Sequence, residues 1–102
     1  MLRKGGIYKI KDNDSYIIII ERINVLYYYN VLNGCNGSVS NEEIKEHLTR
    51  QIDYGLRKQH KFFAKGKESK ITELVDGYLG NITDQQLFAL SVELAFIDFS
   101  KN

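Results

Sequence analysis

The segment Tyr16-Ile17-Ile18-Ile19-Ile20 constrains the fold more than any other part of the chain. All five side chains are apolar, and the isoleucines are β-branched, so the segment favours a strand. Successive side chains of a strand point to opposite faces. A strand with no polar face suits a central position, covered on both sides. Its flanks supply neighbours. Gly6-Ile7-Tyr8-Lys9-Ile10 alternates apolar and polar residues and predicts a first strand. Asp12-Asn13-Asp14-Ser15 is turn chemistry, because these side chains bond locally to the backbone. Arg22-Ile23-Asn24 predicts a tight reversal, and Val25 to Leu32 a third strand. On that strand Val25, Tyr27, Tyr29 and Val31 share one face, and Leu26, Tyr28, Asn30 and Leu32 the other. Three strands with short turns make an antiparallel meander.

Helical signals follow. Asn33-Gly34-Cys35-Asn36-Gly37 is a turn region. Ser40-Asn41-Glu42-Glu43 fits a capping box, with Ile44, His47 and Leu48 on one face of the helix and Gly55 as its break. Phe62-Phe63-Ala64 predicts a short strand, and Lys65 to Lys70 a loop. Ile71, Leu74, Val75 and Tyr78 have helical spacing over 71–79, interrupted by Gly77 and Gly80. Thr83-Asp84-Gln85-Gln86 is a second capping box, opening a helix that runs to about Phe99. This last helix carries two apolar stripes: Leu87, Leu90, Leu94 and Ile97, and beside them Phe88, Val92, Ala95 and Phe99. So wide an apolar arc predicts burial on two sides. One reading packs the helix under the sheet and against another helix. The other makes Leu87, Leu90, Leu94 and Ile97 a homodimer interface. The expected fold is α+β: a small antiparallel SH3-like barrel or meander with a short inserted helix and a C-terminal helix, in one domain spanning 1–102.

At 102 residues, 43% hydrophobic and 26% charged, the chain has the composition of an ordinary globular domain. The formal net charge of +1 disfavours both an acidic nucleic-acid mimic and a general basic nucleic-acid binder. Charge is unevenly spread. Residues 56–70 hold six positive and one negative side chain, whereas residues 71–102 hold one positive and five negative. The single cysteine, Cys35, allows no internal disulfide and points to a reducing compartment. Neither a signal peptide nor a membrane span is expected, so the location expected is cytoplasmic. Abundant Ile, Lys, Asn and Tyr with no Pro imply AT-rich codons, as in a low-GC bacterium or its phage or plasmid.

The opening Lys4-Gly5-Gly6-Ile7-Tyr8, the all-apolar second strand, and the stretch Ile71-Thr72-Glu73-Leu74-Val75-Asp76-Gly77-Tyr78-Leu79-Gly80-Asn81-Ile82-Thr83-Asp84-Gln85-Gln86-Leu87 form a recognisable outline. It resembles the PemK/MazF-like family of toxins, which have an SH3-like barrel fold. The resemblance covers the first 20 residues and the last 35. It implies dimeric endoribonuclease ancestry. That family's chemistry rests on an Arg-Pro pair before the second strand and a Thr ending the third. Here the first loop, Lys11 to Ser15, has no Arg, the chain has no Pro, and Tyr29-Asn30-Val31-Leu32-Asn33 has no Thr. No catalytic residue carries over, which leaves the route without its cation and proton shuttle.

Other chemistry is sparse. His47 reads as a helix-surface residue, and His60, beside Lys58 and Lys61, is the only candidate for ribonuclease-like proton transfer, with Glu68 or Asp53 as a partner. The histidines and Cys35 make no zinc spacing, and Cys35 has no local base to activate it. No metal and no cofactor are expected. The strongest candidate is the basic-aromatic segment Arg57, Lys58, His60, Lys61, Phe62, Phe63, Lys65, Lys67 and Lys70. Cations contact phosphates and rings stack on bases, so the mixture suits single-stranded nucleic acid, or equally an acidic protein surface. The competing reading is a solvated loop with Phe62 and Phe63 in the core. Tyr27, Tyr28 and Tyr29 are a second candidate recognition surface. These readings converge on a non-catalytic binding protein that occupies a macromolecular surface. The class expected is a phage or mobile-element inhibitor of a bacterial host or defence protein. A protein partner is expected before single-stranded nucleic acid. The alternative is a toxin-like endoribonuclease with relocated catalytic groups.

Overall fold

A computed structural model describes residues 2–11, 15–32, 42–43, 46, 50 and 62–97. The expected meander is present. Strand β1 (Gly6–Ile10) pairs antiparallel with β2 (Ser15–Ile23), and β2 pairs antiparallel with β3 (Val25–Leu32). Asn24 makes the β2–β3 reversal at φ 65°, a left-handed conformation that Asn tolerates better than most side chains. Strand β4 (Phe63–Gly66) joins β3, and β5 (Val75–Asn81) joins β1. All pairings are antiparallel, and the sheet order is β4-β3-β2-β1-β5. Helix α1 (Glu68–Leu74) connects the two edge strands across one face, and α2 (Asp84–Ala95) follows β5. The fold is α+β. Among the described residues no ladder joins β4 to β5.

Register irregularities interrupt two of the ladders. Ile20 is an extra residue in β2, between the pairs Ile19↔Tyr28 and Glu21↔Tyr27. Leu79 and Asp76 are extra residues in β5 opposite β1. Each such bulge bends its strand and increases the local twist.

Strand β2 is buried on both faces, as its composition requires: Ile17 to Ile20 are each at most 2% exposed. Two cores result. Ile18, Ile20, Tyr16, Ile7, Tyr29 and Phe63 pack with Leu90 of α2. Ile17, Ile19, Tyr8, Leu26 and Leu2 pack with Ile71 of α1. The N-terminal segment is tied in by Gly5, whose N–H donates to the Ile19 carbonyl and whose carbonyl accepts from Ile82 N–H. Gly5 sits at φ 80°, and a Cβ on Gly6 would lie 2.7 Å from the Tyr8 ring and 2.9 Å from the Arg3 carbonyl. Both positions therefore require glycine.

Three expectations are corrected. Residues 71–79 are not one helix: α1 ends at Leu74, and Val75 to Asn81 form β5. Pairing with β1 supplies hydrogen bonds that a helix broken by Gly77 and Gly80 would lack. The expected loop at 65–70 is the end of β4 and the first turn of α1. The last helix ends at Ala95, with Phe96 as its cap. Glu42, Glu43, Glu46 and Arg50 are helical, in line with the first capping-box expectation, although Ser40 itself lies outside the described residues.

Candidate functional site

Helix α2 is the best-specified element around a candidate site. Thr83 Oγ1 accepts from Gln86 N–H at 3.1 Å, and Gln86 Oε1 accepts from Thr83 N–H at 3.0 Å, completing the capping box. This reciprocal cap fixes where the helix begins and hence which side chains face inward. Leu90 has no exposed surface, and Leu87, Leu94 and Ile97 pack partly buried against the same cluster. The stripe expected to meet a second copy thus fills the chain's own core.

The neighbouring stripe is the exposed one. Phe88, Val92 and Phe96 are 70%, 40% and 76% exposed. At 1.5 Å per residue their spacing of four makes a row roughly 12 Å long. Exposed Ala95 and Gln85 share this side of the helix. The row itself carries no charge; the acidic residues of α2 are Asp84 and Glu93.

The three tyrosines go to three environments. Tyr29 is fully buried, edge-on to Phe63 at 5.0 Å and to Phe62 at 6.1 Å. Burial pushes its phenol up to about 12. Tyr28 points to the α1 face, half-buried, and desolvation raises its phenol too. Tyr27 is half-buried, opposite Glu21 of β2 and Lys65 of β4. Alternation, combined with burial of one face, prevents the triplet from presenting three rings together.

Of the basic-aromatic segment, Arg57, Lys58, His60 and Lys61 lie outside the described residues. Lys65 is exposed on β4, and Lys67 and Lys70 are exposed at α1. Phe63 is buried, and Phe62 is packed against the core. The two rings expected to stack on bases pack edge-on against Tyr29 instead.

Two features escaped the sequence because β5 was not foreseen. Arg3 lies over the Tyr78 ring at 5.2 Å, and Tyr78 packs tilted on Tyr8 at 5.2 Å. The Tyr8 hydroxyl accepts from Arg3 N–H at 2.7 Å, and the Tyr78 hydroxyl donates to Asn81. The β1–β5 register, Tyr8↔Tyr78, creates this cluster. The second is the ion pair of Arg22 with Glu68 at 2.8 Å, at the edge of a cavity of about 240 Å³ lined by Arg22, Asn24, Val25, Leu26 and Glu68. The Arg22 guanidinium holds the Glu68 carboxyl below its ordinary value, helped by Leu2 N–H. Among the described residues no three His, Cys, Asp or Glu side chains converge where a metal could bind.

No helix among the described residues is long and apolar enough to cross a membrane. No protein-family model matches the chain, and neither the curated proteins nor the solved structures yield a match.

Proposed function

We propose that this is a binding protein that occupies a protein surface through the outer face of α2. The observation that carries this reading is the exposed row Phe88, Val92 and Phe96 on a helix whose inner face already packs on the sheet. Two phenylalanines exposed to this degree offer on the order of 300 Å² of apolar surface, the size of patch that marks interaction sites. Burial of Phe63 and packing of half-buried Phe62 against the core support a protein partner over single-stranded nucleic acid, because both rings that base stacking would use are engaged internally. The AT-rich residue usage and small size support the finer reading, a phage or mobile-element inhibitor of a bacterial host or defence protein.

The test compares wild type with a Phe88→Ser, Phe96→Ser double variant as affinity baits in a low-GC bacterial lysate. A protein retained by wild type and lost by the variant is expected. Equal retention by both baits refutes the role of this face. In parallel, single-stranded RNA incubated with the protein should remain intact; cleavage would replace this reading with the endoribonuclease.

A further inference from the structure

Helix α1 spans roughly 10 Å, while β2 beneath it spans roughly 30 Å, so α1 cannot cover the sheet face on which it lies. Ile71 is its only buried residue. Past its C-terminal turn a pocket of about 140 Å³ opens between Leu74, Ile71, Ile10, Ile17, Tyr28, Asn30 and Ser15. The walls from Ile10, Ile17, Ile71 and Leu74 are apolar. The volume is close to that of a buried cavity that takes up benzene, roughly 150 Å³.

The polar groups of the pocket are complementary to a peptide. Asn30 and Ile17 are directly paired across β2 and β3, which brings the amide to the pocket. Its Nδ2 donates to the Phe62 carbonyl at 3.2 Å, leaving Oδ1 as an acceptor. The Tyr28 hydroxyl has no hydrogen-bond partner among the described residues. A peptide backbone offers an N–H for the first and a carbonyl for the second. Two lysines are near the Leu74 wall. Lys11 N–H donates to the Leu74 carbonyl at 2.8 Å, and Lys70 lies one turn before Leu74 on α1. Both lysines are exposed, and neither is ion-paired among the described residues.

We infer that this pocket binds an extended acidic peptide segment that inserts one aromatic or branched aliphatic side chain between α1 and the sheet. The site lies on the opposite sheet face from α2 and does not depend on the Phe88 row.

The probes are three acetylated, amidated tripeptides, Glu-Phe-Glu, Lys-Phe-Lys and Glu-Gly-Glu, titrated into ¹⁵N-labelled protein and followed by NMR. Glu-Phe-Glu should give saturable shifts at Ile10, Ile17, Asn30 and Leu74, with a Kd on the order of 1 mM, as for other small ligands. Lys-Phe-Lys should bind at least about 5-fold more weakly at low salt and lose that disadvantage as salt rises. Glu-Gly-Glu should not saturate. Tyr28→Phe keeps the ring and the fold and should weaken Glu-Phe-Glu by roughly 2- to 10-fold, the worth of one hydrogen bond. Lys70→Glu should abolish the preference for the acidic probe. Comparable binding of the glycine probe, indifference to probe charge, or no saturation by any probe would overturn the inference. So would shifts at these residues produced by raising protein concentration alone, which would make a second copy the occupant.

Discussion

The two helices lie on opposite faces of one sheet, and they are secured in different ways. Helix α2 has a reciprocal cap and sets three apolar side chains, Leu87, Leu90 and Leu94, against the cluster that includes Ile18 and Ile20, with Ile97 packed on it just past the helix end. Helix α1 begins at Lys67, which makes no side-chain cap bond, and buries Ile71 alone. Its remaining tethers are polar: Glu68 with Arg22 and Leu2, and Lys11 N–H to the Leu74 carbonyl. The difference separates tasks within a small chain. The α2 face holds the sheet together and leaves its outer surface available. The α1 face leaves a cavity near each end of a short helix, with an ion pair beside one and apolar walls around the other.

The largest test of this comparison is a pair of truncations. Leu90→Ala removes a side chain with no exposed surface and should cost about 2–5 kcal/mol. Ile71→Ala lies next to an open cavity into which its surroundings can relax, and should fall at or below about 2 kcal/mol. Urea denaturation of both variants measures the gap. An Ile71→Ala cost equal to that of Leu90→Ala would remove the asymmetry.

A smaller effect is expected at the helix starts. Thr83→Ala breaks the capping box and should cost about 1 kcal/mol. Lys67→Ala deletes a side chain that makes no cap bond and should stay within about 0.5 kcal/mol of wild type. Thermal melts of the two variants give the comparison. Equal losses would mean that α1 depends on its cap as much as α2 does.

Acid should loosen α1 before α2. The Glu68 carboxyl is held below its ordinary value of 4.5, first by the Arg22 guanidinium and also by Leu2 N–H, with desolvation opposing both. A carboxyl whose folded pKa is depressed contributes stability above its unfolded pKa. That contribution is complete above about pH 4.5 and fades as pH falls through the lowered folded value. Protection factors at α1 amides, corrected for the intrinsic exchange rate at each pH, should therefore fall below pH 4.5, while those at α2 amides change less. Glu68→Gln should remove the pH dependence of α1. A variant that retains it would place the acid sensitivity elsewhere, Glu21 being the other carboxylate with a lowered value.

How much of this was legible follows from the range of each signal. The unbroken run Tyr16 to Ile20 announced a strand with two buried faces, because four consecutive β-branched isoleucines favour extended backbone and leave no polar face for solvent. Thr83 and Gln86, three residues apart, announced the α2 cap, because capping is local chemistry. Strand β5 was not legible. Ile71, Leu74, Val75 and Tyr78 fit a helical period, and only pairing with β1, some 70 residues earlier in the chain, decides for a strand. The Arg3–Tyr78 contact and the pocket at Leu74 depend on that pairing and were hidden with it. The α2 face was half legible. Both stripes could be counted, but which of them met the sheet depends on how the chain enters the helix from β5.

The smallest expected effect sharpens the division between inner and outer faces of α2. Phe88→Ser and Phe96→Ser remove rings that are 70% and 76% exposed, so little apolar surface returns to water on substitution. Surface substitutions of this kind usually change stability by no more than about 0.5 kcal/mol. The double variant should melt within a few degrees of wild type, keep its far-UV circular dichroism, and be the more soluble protein at high concentration. Preserved stability, joined to loss of a captured partner, would mean that the rings serve recognition alone. A loss of 2 kcal/mol or more, the scale of the Leu90 truncation, would mean that the outer row supports the fold as the inner row does.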